Sequence, residues 1–274
     1  MTELTKRVLF ALIAGPIFLL LLWLGGWYLR ITILIIGWII QYEMGGIADR
    51  AGLSPNMWIS YLAGAWIILY PVLPLPYFWG YLLLLSLMLA ETVNRESDSV
   101  KRIFGTLFCS VYAPVSLLSF LYIRNVFGSS EEGVALAFSL VLMVWGNDIF
   151  AYFGGRAFGK HLLAPHISPK KTWEGFFSGF IGAGVGLIII KLIYGNAFPV
   201  HILMALSIIV VVSIFGPAGD LTESKLKRFV NIKDSSELIP GHGGVFDRFD
   251  ALLMASLATF ILLTIGKLLF HVPF

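Results

Sequence analysis

The stretch VLFALIAGPIFLLLLWLGGWYLRITILIIGWIIQ, residues 8–41, is apolar over nearly all of its 34 positions. An α-helix rises about 1.5 Å per residue and the bilayer core is about 30 Å thick, so about 20 apolar residues cross it. As one helix this stretch would be about 51 Å long, too long for one crossing. We therefore expect two membrane-spanning helices that turn near Gly25 to Arg30. Aromatic residues typical of a membrane interface lie at this turn: Trp23, Trp27 and Tyr28.

Further apolar runs follow this stretch along the whole chain. They cover residues 57–70, 75–90, 103–123, 134–153, 173–193, 200–215 and 251–270. With the first two helices, they predict an all-α, polytopic integral membrane bundle of about nine transmembrane helices. The runs 57–70 and 75–90 are short for a crossing.

The composition of the chain supports the same class. Hydrophobic residues make up 58% of the 274 residues and charged residues 13%, and the mean hydropathy is +0.87. A soluble globule of this size cannot bury so much apolar surface, and a disordered chain would be far more polar. A single cysteine excludes a disulfide scaffold. The net charge of +3 does not indicate nucleic-acid binding.

The positions of Lys and Arg predict the orientation in the membrane, because cytoplasmic segments are enriched in both. With the N-terminus in the cytoplasm, 15 of the 19 basic residues fall in cytoplasmic segments. The other four are Arg30, Arg124, Lys191 and Lys267. Residues 1–7 and the first apolar run resemble a signal sequence without a convincing cleavage site, so we expect an uncleaved anchor.

Two polar loops, residues 154–172 and 217–248, are separated by two crossings and should emerge on the same cytoplasmic side. Just before the first loop, Asp148 lies inside an apolar run. It either pairs with Arg156 near the interface or binds a cation in a polar cavity.

The end of the first loop contains helix-start signals at Ser168-Pro169 and Thr172. Lys170 and Lys171 would then lie near the positive end of a helix, which suits phosphate, or they are ordinary basic residues of the cytoplasmic side. Glu174, in the first turn of that helix, can simply complement the helix dipole.

The second loop begins with a helical pattern. Asp220, Glu223, Ser224 and Lys227 are spaced i, i+3, i+4 and i+7 and share one helix face. At the far end, Asp247 and Asp250 are again three residues apart. We expect the aspartates 220, 247, 250 and 148 to converge on a hard cation such as Mg²⁺ held against substrate phosphates.

Basic side chains of the second loop can pair with those phosphates: Lys225, Lys227, Arg228, Lys233 and Arg248. The alternative is a set of salt bridges between helix ends, which would not require the glycine-rich turn at 240–244. His242 in that turn is a general base, a phosphate donor or a hydrogen-bonded loop residue, and the last two are favoured.

These motifs resemble a known signature. The segments SKLKR at 224–228, KD at 233–234 and HGGVFDRFD at 242–250 look like the signature of the phosphatidate cytidylyltransferases, or CDP-diacylglycerol synthases. Residues 148–175 resemble the bacterial members. The N-terminal half is similar only in being a set of hydrophobic spans.

The resemblance implies a membrane enzyme that joins CTP and phosphatidic acid into CDP-diacylglycerol and releases pyrophosphate. It implies Mg²⁺, with room for a second mono- or divalent cation, and it assigns Asp220 and Asp247 as metal ligands. Charge and spacing add Asp148 to the metal site. Expected catalytic residues are Lys227, Arg228, Arg248 and Asp250. Expected substrate phosphate-binding residues are Lys170, Lys171, Ser224, Lys233, His242, Gly243 and Gly244.

The resemblance also implies the partners and the location. The partners are CTP, phosphatidic acid, membrane lipid and a second copy of the chain in a homodimer, with no nucleic acid. The location is the bacterial cytoplasmic membrane, with the active site facing the cytoplasm. The expected organisation is an N-terminal membrane-spanning region, 1–125, with about five helices, and a C-terminal catalytic region, 126–274.

Two alternative functions remain open at this point. One is a related CTP-dependent polyprenol kinase, in which the substrate attacks the γ rather than the α phosphorus. The other is a cation-coupled membrane transporter, which predicts charges near the bilayer midplane and interrupted helices in both halves.

Overall fold

A computed structural model describes residues 3–73, 78–93, 98–125, 130–195, 198, 200–239 and 243–270. Over these residues the chain forms nine α-helices, one 3₁₀ turn at Tyr70–Val72 and two short strands. The helices are α1 (Glu3–Leu24), α2 (Gly26–Arg50), α3 (Met57–Leu69), α4 (Phe78–Val93), α5 (Ser99–Asn125), α6 (Ser130–Phe158), α7 (Trp173–Tyr194), α8 (Ile202–Phe229) and α9 (Phe246–Phe270). The strands are β1 (Leu162–Ala164) and β2 (Ser168–Thr172).

The all-α membrane bundle is confirmed, but a count of nine crossings is not. Within the described ranges, six helices are long and apolar enough to span a bilayer: α2, α5, α6, α7, α8 and α9. The apolar parts of α1 and α3 are shorter. The helical start predicted for the second polar loop is confirmed, since α8 continues to Phe229.

The first two helices turn where the sequence predicts it. Gly25 lies between α1 and α2 with a φ of 63°, and Gly26, the first residue of α2, has a φ of 52°. This left-handed region is open to glycine at little cost, whereas side-chain-bearing residues avoid it. The Gly-Gly pair therefore allows two consecutive helices with only one residue between them.

The described chain divides into two compact units. The first comprises Met1–Leu118 and Leu226–Arg248, and the second comprises Ser119–Lys225 and Phe249–Phe274. The segment 226–248 of the second polar loop belongs to the same unit as residues 1–118. Residues 1–118 are therefore in the same unit as most of the family-like signature.

In the first unit, α2 buries one face whose residues recur every three or four positions. Its fully buried members are Leu29, Ile33, Ile40 and Met44. A buried polar residue of the same helix, Gln41, donates to the carbonyl oxygens of Ser60 (2.6 Å) and Cys109 (3.1 Å). These bonds stabilise the packing of α2 because a buried amide without partners would be costly.

In the second unit, α6 and α7 approach each other through glycines. A Cβ atom added to Gly182 would lie 2.6 Å from the carbonyl carbon of Gly146 and 2.8 Å from Phe150 Cβ. A Cβ on Gly186 would lie 2.6 Å from the carbonyl carbon of Leu142. Small residues of this kind let membrane helices pack backbone to backbone.

We expect Gly182→Ala to destabilise the second unit by roughly 1–3 kcal/mol, because the new methyl group must push two backbones apart. Gly184→Ala is the matched control on the same helix, since its Cβ would meet only Ile209 Cδ1, at 4.0 Å. The thermal unfolding of the two variants in detergent measures the difference. Equal midpoints would contradict the close-packing interpretation.

Candidate functional site

Three carboxylates converge in the second unit. Asp220 and Glu223 lie one turn apart on α8, and Asp250 lies near the start of α9. One oxygen from each lies within 4.8 Å of the others. Gly219 permits this approach, because a Cβ there would lie 3.1 Å from the carbonyl carbon of Asp250. We call these three residues the acidic cluster.

Glu223 is the member that the sequence analysis did not assign to the metal site. It is 2% exposed. The sequence feature that could have assigned Glu223 to the site is its spacing, since it lies three residues after Asp220 on the same predicted helix face. Asp148, which was assigned to the metal site, is exposed on α6 and is not a member of the cluster. It is nevertheless near enough to Asp250 to act on it electrostatically.

A lysine of the first polar loop reaches the acidic cluster. Lys171 Nζ lies 2.5 Å from Asp220 Oδ2, and both side chains are about one-third exposed or less. Ser224 Oγ donates to the other oxygen of Asp220 at 3.2 Å. The neighbouring Lys170 is exposed. Of the two predicted phosphate-binding lysines, Lys171 is therefore the one placed beside the carboxylates.

A hairpin of β1 and β2 presents Lys171. The strands are antiparallel, with Leu162 opposite Thr172. Thr172 caps α7 by accepting from Gly175 N at 3.2 Å, as its helix-start signal predicts, whereas Ser168-Pro169 lies in β2.

Glu174 does more than complement the helix dipole. Its Oε2 accepts from the backbone N–H groups of Lys160 (3.1 Å) and His161 (3.3 Å), and its Oε1 lies 2.6 Å from His161 Nδ1. Glu174, in the first turn of α7, therefore binds Lys160 and His161, the two residues that precede β1.

In the first unit, Asp247 is enclosed by donors. Its Oδ1 forms an ion pair with Lys227 Nζ, and their side chains are only 5% and 9% exposed. Its Oδ2 accepts from Ser235 N (2.9 Å), Ser235 Oγ (2.8 Å) and Gly244 N (2.7 Å). Because its N–H donates to Asp247, Gly244 shapes the loop around this carboxylate.

The glycine at 243 has a specific conformational role. Its φ is 78°, and a Cβ there would lie 2.9 Å from Asp247 Oδ2. A residue with a side chain would be strained in this conformation. His242, predicted to bind phosphate, lies outside the described residues.

Three further basic residues of the second loop lie on the surface of the first unit, whereas the exposed Lys225 belongs to the second unit. Arg228, Lys233 and Arg248 are exposed. Arg228 Nη1 donates to Ile232 O at 2.8 Å, just beyond the end of α8. Exposed arginines and lysines remain accessible to a polyanionic ligand.

The donor set of the acidic cluster fits a hard divalent cation. Three carboxylates at this spacing repel one another, and Lys171 supplies one compensating charge. Carboxylate oxygens with room for water and phosphate are the ligands typical of Mg²⁺. The acidic cluster could therefore hold a divalent cation.

Comparison with known proteins identifies the family. The model of the cytidylyltransferase family matches residues 5–266. The chain belongs to the cytidylyltransferase family. The resemblance drawn from the C-terminal motifs is thereby confirmed, and it extends over the N-terminal helices as well.

Curated relatives of this cytidylyltransferase match it almost from end to end. A protein of Bacillus subtilis is 32% identical, with 97% of this chain and 99% of the relative covered. A protein of Brucella abortus is 34% identical, with 93% and 92% covered. A protein of Staphylococcus epidermidis is 34% identical, with 90% and 94% covered. All three are named phosphatidate cytidylyltransferase.

Proposed function

We propose that this cytidylyltransferase is a phosphatidate cytidylyltransferase, which converts CTP and phosphatidic acid into CDP-diacylglycerol and pyrophosphate. The observation that carries the proposal is the similarity to relatives of that name over more than nine-tenths of the chain. The acidic cluster with Lys171 supports it, because a nucleotidyl transfer needs charge neutralisation at a triphosphate.

The reaction needs no nucleophile from the protein. An oxygen of the lipid phosphate, already anionic at neutral pH, would attack the α phosphorus of CTP. A new O–P bond forms, the bond from the α phosphorus to the bridging oxygen breaks, and pyrophosphate leaves with the electron pair. The protein aligns the two substrates in line and stabilises the negative charge.

Asp220, Glu223 and Asp250 would hold the divalent cation, for which Mg²⁺ is the best fit to the donor set. When bound, such a cation neutralises the triphosphate and the leaving oxygen. The family signature also assigns Asp247 to a metal, charge and spacing assign Asp148, and the resemblance leaves room for a second mono- or divalent cation. Lys227 forms an ion pair with Asp247 and would hold this carboxylate in place.

Lys171 would neutralise a substrate phosphate beside Asp220. The exposed basic residues Lys170, Arg228, Lys233 and Arg248 would attract CTP, as electrostatic steering favours a polyanion. Ser224 and the segment 242–244 would complete the phosphate contacts.

The membrane fold suits this pair of substrates. Phosphatidic acid has two acyl chains that stay in the lipid, whereas CTP is a polyanion that stays in water. The reaction must therefore occur at the boundary, on the side where CTP is present. We propose the bacterial cytoplasmic membrane, a cytoplasmic active site and a homodimer, with no nucleic-acid partner.

The product assay tests the proposal. Purified full-length protein is incubated with α-labelled CTP, phosphatidic acid and Mg²⁺, and we expect a labelled liponucleotide together with pyrophosphate. In a parallel reaction in which a polyprenol replaces phosphatidic acid, release of CDP with phosphorylation of the polyprenol would instead identify a kinase. Cation-driven flux in proteoliposomes without CTP turnover would identify a transporter.

A further inference from the structure

A buried carboxylate of the N-terminal half reaches the signature loop. Glu43 lies in α2 and is 2% exposed. Within the first unit, its Oε1 accepts from Ser236 Oγ (2.6 Å) and Val245 N (2.9 Å), and its Oε2 accepts from Phe246 N (2.6 Å). Ser235 Oγ lies 3.0 Å from Oε2. A buried carboxylate with several donors is strongly held, because each bond to the charged group is stronger than a neutral one.

These donors belong to the described segments 235–239 and 243–246, which together we call the signature loop. Ser235 and Ser236 are at its beginning. Val245 and Phe246 are at its end, where α9 starts and backbone N–H groups have no helical partner. Glu43 thus caps α9 from another helix, and its negative charge suits the N-terminal end of α9.

The same loop residues surround Asp247. Ser235 Oγ is 3.0 Å from Glu43 Oε2 and 2.8 Å from Asp247 Oδ2, and its single proton can serve one of them at a time. A Cβ on Gly244 would lie 2.6 Å from Glu43 Oε1, so the carboxylate also leaves no space there for a side chain. Glu43 therefore determines where the partners of Asp247 lie.

We propose that Glu43 is a positioning residue of the reaction. It closes the signature loop from α2 and so fixes the orientation of Asp247. The inference rests on the proposed function, which gives Asp247 its role. It assigns the N-terminal helices a part in turnover beyond holding the enzyme in the membrane.

The test uses purified full-length protein with Glu43→Gln, which keeps the side-chain size and removes the charge. Asp49→Asn is the matched control, since Asp49 is an exposed carboxylate near the end of the same helix. Ser236→Ala removes one donor to Glu43 and leaves the four bonds to Asp247 in place. Three quantities are measured: kcat, the Mg²⁺ concentration for half-maximal activity, and the rate of tryptic cleavage after the exposed Lys233.

For Glu43→Gln we expect kcat to fall roughly 10- to 100-fold, the half-maximal Mg²⁺ concentration to rise and cleavage after Lys233 to accelerate. Ser236→Ala should change all three in the same direction by less, and Asp49→Asn should change none. A purely structural role would lower the yield of folded protein without moving the Mg²⁺ midpoint.

An unchanged Mg²⁺ midpoint together with unchanged cleavage in Glu43→Gln would overturn the proposal. If Glu43→Gln does not fold, the Mg²⁺ midpoint and the tryptic cleavage rate of Ser236→Ala test the proposal instead. Unchanged values of both would overturn it. If the wild-type protein forms no liponucleotide, the proposed function fails, whereas cleavage after Lys233 still reports whether Glu43 holds the loop.

Discussion

Asp247→Asn is expected to lower kcat by about 1,000-fold or more while the protein stays in the membrane, a loss comparable to removing a principal electrostatic group from an active site. The Asp247 side chain is 5% exposed and binds Lys227, Ser235 and Gly244. Asparagine has one acceptor oxygen and two N–H donors, so it cannot accept from all of these groups. Its neutral amide also leaves the charge of Lys227, 9% exposed, without its carboxylate.

The measurement is liponucleotide formation at saturating CTP, phosphatidic acid and Mg²⁺, with size-exclusion chromatography to verify the folded protein. Asp98→Asn is the control, because Asp98 pairs with Lys101 at the surface, where both side chains are 58% exposed. Exposed pairs of this kind contribute little, so the control should keep near-wild-type activity. Near-normal turnover of Asp247→Asn under these conditions would refute a role for Asp247 in the reaction.

Asp220→Asn is expected to have the second largest effect, a decrease in kcat of roughly 100- to 1,000-fold. Asp220 is the member of the acidic cluster that also binds Lys171 and Ser224. Its loss removes a cation ligand and releases the lysine that would contact phosphate. We therefore expect the Mg²⁺ titration to shift to higher concentration as well.

Thr222→Ala on the same helix is the matched control, since Thr222 is exposed and its hydroxyl binds only the carbonyl of Ala218 among the described contacts. The Mg²⁺ dependence of initial rates distinguishes the two variants. An Asp220→Asn enzyme with a wild-type Mg²⁺ midpoint would place the cation away from the acidic cluster.

Most of the fold could be predicted from apolar run lengths. The bilayer requires about 20 apolar residues per crossing and internal hydrogen bonds throughout, so each long run must be a helix. The α1–α2 turn at Gly25-Gly26 follows from the same rule. Whether the shorter α3 and α4 cross could not be predicted, because runs of this length are also found in buried, non-spanning helices.

The candidate site could be predicted in part. Asp220 and Glu223 share a face because helical periodicity is local, and Lys171 precedes the Thr172 cap. Glu43 could not be connected to the loop, since its partners lie 192 to 203 residues further along the chain. No local spacing encodes such a pairing.

The sequence by itself determined the membrane class, the order of the helices, the signature and its family, because hydropathy and motifs depend on neighbouring residues. Only the tertiary structure decided which carboxylates meet: Glu223 joins Asp220 and Asp250, while Asp247 is enclosed by Lys227 and the loop that Glu43 holds. The physical reason is that ionised groups in a low-dielectric region must find counter-charges and donors, and helix packing determines which of these lie within reach.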